Sequence, residues 1–371
     1  MNGEDYAVII GINRYPRFAR HEPPAQRDLM GPDRDATDIY KWLHDLHGGA
    51  LPVDQQDGGP FLKDEDGNPL PKGRNSWLIR SSDFVSTGKP SQERPAEAQI
   101  IDAFDELRQR PRRGDGRIGR RLYVYVGGHG FGIDRCDGAL YTAEASPDLP
   151  QHIYIAKYFQ WFRRTALFEE YVLWFDACAT ALRLKPDPRP VAFPPQIATD
   201  EGMGLVFAAY AAKHTLRAIE RAMPADGRVH GAFTHALLLG LKGAAAVPGM
   251  GVITTNRLKG YLNETMRQHM DRADLVDDNV SKTPDFFPDD DFDLVTLPQQ
   301  AEPETRLQLP AGLAEGSFDI ISGALTRLLT AKAANGVLRL SLPPGFYKAL
   351  AQGSGKSFLF EITGGGDGKV R

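Results

Sequence analysis

Two residues in this sequence have the type and the setting for covalent chemistry. His129 stands in Gly127-Gly128-His129-Gly130, and Cys178 in Asp176-Ala177-Cys178, 49 residues later. Each follows an apolar run that reads as a buried strand, Leu122-Tyr123-Val124-Tyr125-Val126 and Tyr171-Val172-Leu173-Trp174-Phe175. In an open α/β sheet, functional groups gather beyond the carboxyl ends of the strands. If these strands are neighbours, the imidazole and the thiol meet there. A free thiol titrates near pH ~8.5 and is only a few per cent thiolate at neutral pH. An adjacent imidazole can take its proton and later protonate a leaving amine. Glycines around His129 leave the backbone open to a peptide, and the N–H groups of Gly130 and Cys178 are natural oxyanion donors.

Each residue also has a plainer reading. A lone buried cysteine is usually a small hydrophobe, and a histidine beside glycine is often a turn residue. Both at strand ends, with an aspartate two before the cysteine, favour catalysis. Cys136, in a loop past His129, reads as incidental. His214, after another strand, could face a substrate groove, whereas His44 and His47 sit near a helix C-terminus, where a cation is favoured.

The elements that must position the dyad follow from periodicity. Tyr6 to Ile12, Ser76 to Ile79 and Gly204 to Tyr210 read as further strands, and near-continuous apolar strands are typical of parallel sheets covered on both faces. Helical stripes appear at Ala36, Ile39, Tyr40 and Leu43; at Ala96, Ile100, Phe104 and Leu107 after Pro95; at Phe233, Leu237 and Leu241; and at Leu258, Tyr261, Leu262 and Met266. The fold class is therefore α/β: an open, mostly parallel sheet flanked by helices on both faces. From about residue 304 the pattern changes to short strands punctuated by Gly and Pro, which predicts a small all-β sandwich. The predicted division is 1–297 for the α/β domain, a linker at 298–303 within the Pro-containing stretch 288–303, and 304–371 for the accessory β domain. The stretches 54–75 and 179–202 read as irregular insertions, and Arg108 to Arg121 as a solvated basic loop.

Composition narrows the function classes. The 371 residues are 42% hydrophobic and 25% charged, with a net charge of −4. That excludes wholesale disorder and a chain-wide nucleic-acid footprint. No apolar run approaches the ~20 residues of a membrane span, and the acidic N-terminus does not read as a signal peptide. Two cysteines exclude a disulfide framework and a multi-cysteine zinc site. The expected setting is cytoplasmic, with no nucleic acid and no membrane as partner.

The sequence resembles the caspase-like superfamily of cysteine peptidases, in particular metacaspases and their bacterial relatives, over about residues 5–297. The segments that carry the likeness are Val8-Ile9-Ile10-Gly11-Ile12-Asn13-Arg14-Tyr15, Leu29 to Ala36, Gly128-His129-Gly130, Asp176-Ala177-Cys178 and Gly231-Ala232-Phe233-Thr234-His235-Ala236-Leu237-Leu238. Gly127 stands where the family commonly has Ser, and Ala179-Thr180 replaces its usual continuation after the cysteine. The resemblance implies a caspase-like sheet with His129 and Cys178 as the catalytic dyad. It implies that Asp35 and Asp176 line the first specificity pocket. Paired carboxylates attract a guanidinium or ammonium, so the expected cleavage is after Arg or Lys. The plainer readings are a helix N-terminal acid for Asp35 and a strand-end turn residue for Asp176.

The resemblance further implies a protein or peptide substrate and a setting in bacterial defence or cell death. Some relatives need calcium. Asp134, Asp137, Glu144 and Asp148 form a loose acidic cluster without calcium-loop spacing, so no metal site is assigned and calcium dependence stays open. Arg183-Leu184, after the cysteine, is the best self-cleavage candidate, with Arg217 and Arg221 as alternatives. The tail, through Leu342-Pro343-Pro344-Gly345-Phe346-Tyr347, resembles a prealbumin-like module and is expected to bind a regulatory partner. Competing readings are an Asp-specific protease, which would need an arginine in the first pocket, a catalytically inactive peptide-binding scaffold, and a non-proteolytic hydrolase.

Overall fold

A computed structural model describes residues 4–17, 28–54, 62–146, 148–178, 191–194, 203–223, 227–246, 251–297, 304–310, 313, 315–323, 327–342, 345–362 and 368–370. The central sheet contains β1 (Asp5–Gly11), β2 (Ser76–Arg80), β3 (Arg121–Gly128), β4 (Glu170–Ala177), β5 (Leu205–Tyr210) and β6 (Asp285–Asp289). Their order across the sheet is β6-β5-β4-β3-β1-β2. All neighbours are parallel except β6, which runs antiparallel to β5 at the edge.

Alternate residues of one strand enter two different cores, which shows that both faces are covered. Val8, Ile10, Val124 and Leu173 pack with α2 (Glu97–Arg108) and α3 (Ile155–Arg164). Ala7, Ile9, Tyr123, Tyr125, Val172 and Trp174 pack with α1 (Pro32–His44), α4 (Ala232–Leu239) and α5 (Thr255–Thr265). Helix α1 begins with proline in its first turn, where the missing N–H costs nothing, and carries Asp33 and Asp35 at the positive end of its dipole.

Several expectations change. Helix α3 has no counterpart in the sequence reading. Its ring-rich stretch Ile155-Ala156-Lys157-Tyr158-Phe159-Gln160-Trp161-Phe162 buries six residues, too many for a simple stripe. Within the Pro-containing stretch 288–303, residues 288–296 contribute to two strands. Pro288 lies in β6, and an edge strand tolerates a residue without an N–H. Asp293–Thr296 pairs with Val252–Thr254. The basic run is not a free loop at its end: Arg121 is buried, Arg120 pairs with Asp5 and Glu170, and Arg113 bridges Glu4, Asp115 and Glu169. The described part of the first insertion is held down by a Lys41–Asp64 ion pair at 2.9 Å and by the Tyr40 hydroxyl donating to the Pro71 carbonyl at 2.7 Å.

The C-terminal region forms β7 (Glu304–Gln308), β8 (Gly316–Ser322), β9 (Arg327–Ala333), β10 (Val337–Ser341), β11 (Gly345–Ala351), β12 (Ser357–Ile362) and β13 (Gly368–Val370). A two-stranded sheet, β7-β10, faces a five-stranded sheet in the order β9-β8-β11-β12-β13. Leu307, Leu338 and Leu340 meet Phe318, Ile320, Ala349 and Phe360 in a core of their own. Phe346 instead joins the core beneath α4 and α5. The stretch 298–303 lies outside the described residues. No described helix is long and apolar enough to cross a membrane.

Candidate active site

The register of the sheet brings the two motifs together. Strand β3 pairs with β4 as Gly127↔Asp176 and Gly128↔Ala177. The next residues along are His129 and Cys178, each one step past the last pair at the carboxyl ends. A Cβ built on Gly130 would stand 2.8 Å from Ala177 Cβ and 3.1 Å from the Cys178 carbonyl oxygen. Only glycine lets the two loops close this far, so the expected oxyanion donors Gly130 and Cys178 lie against each other.

His129 is held from below. Its backbone N–H donates to the Tyr15 hydroxyl at 2.9 Å, and its carbonyl accepts from Tyr141 N at 2.9 Å. The Tyr15 ring is 4.6 Å from the imidazole, centroid to centroid. The Cys178 thiol donates a long hydrogen bond of 3.7 Å to the Ala218 carbonyl. Burial pushes this thiol up to about 11, and the nearby charge of Asp176 adds to the shift. The resting cysteine is therefore protonated, and attack requires a base to take its proton.

Asp35 and Asp176 also meet, at a shared neighbour. Asp35 Oδ2 accepts from Gly231 N at 2.7 Å, and Asp35 Oδ1 lies 2.6 Å from His230 Nδ1. Asp176 Oδ2 accepts from the Thr234 hydroxyl at 2.6 Å and from Thr234 N at 3.2 Å. A Cβ on Gly231 would fall 2.1 Å from Asp176 Oδ2 and 3.2 Å from Asp35 Oδ2. Any side chain there would push the carboxylates apart. Burial, then the like charge of Asp35, pushes the Asp176 carboxyl up to about 7.

Sequence reasoning missed a third acid. Glu220 Oε2 accepts from Gly31 N at 2.8 Å and Met30 N at 3.0 Å, and Glu220 pairs across a short ladder with Gly231. Burial and the charge of Asp35 raise its carboxyl. No motif marks it. Only the pairing of Glu220–Ala222 with Val229–Gly231 brings it in.

The other candidates are placed elsewhere. His214 Nδ1 lies against the turn after the dyad loop, 3.6 Å from the position a Gly132 Cβ would take. Cys136 has a positive φ of 56°, and burial pushes its thiol up to about 12. It lines a cleft of about 840 Å³ over β5 and α3, together with Asp134, Arg135, Lys157 and Arg163. Among the described residues, no three His, Cys, Asp or Glu side chains converge as a metal set. Arg217 pairs with Asp277 at 2.6 Å, and Arg221 with Asp271 and Asp274. Arg183 lies outside the described residues.

Comparison with known proteins gives three findings. The peptidase C14 family model, described as the caspase domain, matches residues 4–269. A probable protease of a Desulfuromonadales bacterium is 26% identical over 258 residues, which are 65% of this chain and 26% of that protein. The chain thus spans about a quarter of that relative's length. Among solved structures, pro-Sf-caspase-1 aligns with a TM-score of 0.38 at 11% identity, over 76% of this chain and 90% of its own.

Proposed function

The chain belongs to the caspase-domain family of peptidases, and from that premise we propose that it is a cysteine endopeptidase cutting protein substrates after arginine or lysine. His129 removes the proton from Cys178 as the sulfur attacks the scissile carbonyl carbon. The developing oxyanion is received by the N–H groups of Gly130 and Cys178. The C–N bond breaks as His129 protonates the leaving amine. A water, deprotonated by His129, then attacks the thioester carbonyl and releases the acid product and the thiol.

The observation that carries the specificity is the cluster of three carboxyls that includes Asp176, two residues before the proposed nucleophile. Asp35 and Asp176 flank Gly231, and Glu220 pairs opposite it. Among the described residues, no lysine or arginine forms an ion pair with any of the three. A substrate guanidinium would supply the missing charge through parallel hydrogen bonds. An aspartate side chain there would meet like charge. Arg217, the cation whose charge reaches Cys178, is engaged by Asp277.

The test is a set of fluorogenic peptides differing only in the residue before the scissile bond (Arg, Lys, Asp or Leu), with and without calcium. Cleavage of the Arg and Lys peptides, lost in Cys178→Ala, is the expected result. Cleavage after Asp would overturn the pocket reading. Silence on all four would overturn the peptidase reading for the chain as it stands.

A further inference from the structure

Three histidines run from the carboxylate group to the C-terminal β unit. His230, on Asp35, has its ring 5.7 Å from that of His235 on α4. His235 Nε2 lies 3.4 Å from Glu361 Oε1 on β12. The His235 ring also packs edge-on at 4.7 Å against His269, which packs edge-on at 4.8 Å against Phe346 on β11. Glu361 and Phe346 are both buried, at 2% and 5% exposure. A buried carboxylate needs polar partners, and one of those of Glu361, His235, belongs to the peptidase domain.

We propose that the C-terminal β unit is a positioning element for the specificity pocket. Glu361 and Phe346 fix the rings of His235 and His269. Those rings hold His230 where it and the adjoining Gly231 N–H anchor the two oxygens of Asp35. The chain of contacts ends at the pocket and does not pass through His129 or Cys178. Loosening the β unit therefore weakens the grip on a basic side chain and leaves the chemical step alone. A protein partner that grasps the β unit could adjust substrate affinity by the same route. This inference rests on the pocket reading above.

The experiment uses the full chain with Glu361→Ala, with Glu361→Gln as the conservative variant. Leu359→Ser, an exposed position on the same strand, is the control. Glu361→Ala is expected to raise KM for arginyl and lysyl peptides roughly two- to thirtyfold, the range for substitutions along a coupled network. It should leave kcat within about twofold, because the loss is in binding. Glu361→Gln keeps an oxygen for His235 and restores most of the KM. On a Cys178→Ala background, the His230 ring signals in NMR move in Glu361→Ala and return in Glu361→Gln.

A purely structural contact would lower Tm and active fraction together, with KM and the His230 signals unmoved, and that result overturns the proposal. If the unsubstituted protein cleaves no basic peptide, the function reading fails and the His230 signals alone decide the coupling. If Glu361→Ala does not fold, Phe346→Leu removes the ring from His269 while keeping apolar volume, and the same readouts apply.

Discussion

The two ends of the parallel sheet hold buried acids in opposite ways. At the amino ends, Asp5 is ion-paired with Arg120, and Glu170 accepts from Arg120 at 3.0 Å and from Arg121 at 2.6 Å. Arg121, also buried, donates further to the Tyr123 hydroxyl at 2.8 Å and the Leu294 carbonyl at 2.6 Å. Burial raises the Asp5 carboxyl, but both arginines pull it back. At the carboxyl ends, Asp35, Asp176 and Glu220 gather around Gly231, with His230 on Asp35 and only the charge of Arg34, itself paired with Glu65, reaching Glu220. The fold neutralises acids where they only support it. Beside Cys178, among the described residues, it leaves three carboxyls without an arginine or lysine ion pair.

The largest effects are expected at His129 and Cys178. Cys178→Ala and His129→Ala should each cut kcat/KM on arginyl peptides on the order of 10⁴-fold or more and leave Tm almost unchanged. Residual activity within tenfold of the unsubstituted protein would remove these residues from the mechanism. At the other end, Arg121→Met should cost about 1–3 kcal/mol of stability, because Glu170 keeps Arg120 but loses its second guanidinium and the Leu294 carbonyl loses its donor, read as a lower urea midpoint. Activity per folded molecule should hold. Loss of kcat at full folding would mean the two ends are not separable.

Asp176→Asn sharpens the contrast, because its two effects have opposite signs. Losing one charge of the pocket should lower kcat/KM for arginyl peptides by about 2–4 kcal/mol, roughly 30- to 1,000-fold, with little change for a leucyl peptide. Stability should move the other way above neutrality. The Asp176 carboxyl is raised from 3.8 to about 7 in the folded chain. Between those values the native state binds more protons than the unfolded one, so stability falls as pH rises through the window. The asparagine variant escapes that loss. Its Tm relative to the unsubstituted chain should climb from pH 4 to pH 7 and level off above. A flat difference across that range would mean that Asp176 does not carry the shared charge.

Much of this architecture is legible in the sequence, and the gaps have physical causes. Four strands of the central sheet, β1, β3, β4 and β5, are near-continuous apolar runs, because a parallel sheet between two helix layers buries both faces of its inner strands, whereas β2 at the edge is only partly buried. The edge strand β6 is not legible: it contains Pro288 and exposes Phe287. His129 and Cys178 can be found because strand ends and glycines mark them. Asp35 and Asp176 came from a family resemblance, and the sheet supplies the reason they adjoin, Gly231 between them. Glu220 and the run from His230 to Glu361 had no local signal. Their meaning lies in contacts across more than a hundred residues of chain, Glu220 with Met30 and Gly31, and His235 with Glu361, which no window of sequence reports.

The smallest expected effect lies at Tyr15, which separates holding the dyad from performing its chemistry. Its hydroxyl accepts the His129 N–H at 2.9 Å and donates to the Tyr141 carbonyl at 3.4 Å, while its ring lies against the imidazole. Tyr15→Phe keeps the ring and leaves the His129 N–H without that acceptor. A stranded buried donor costs about 1–3 kcal/mol. If about 1–2 kcal/mol of that cost falls on the orientation of His129, kcat should drop about five- to thirtyfold while KM for arginyl peptides stays put, because the carboxylates are untouched. The alkaline limb of the pH–rate profile should not shift. Burial raises the Tyr15 phenol well above its ordinary value, so it stays protonated wherever the enzyme can be assayed and cannot act as the base. An unchanged kcat with a lower Tm would place Tyr15 with Arg121, as a residue that serves the fold alone.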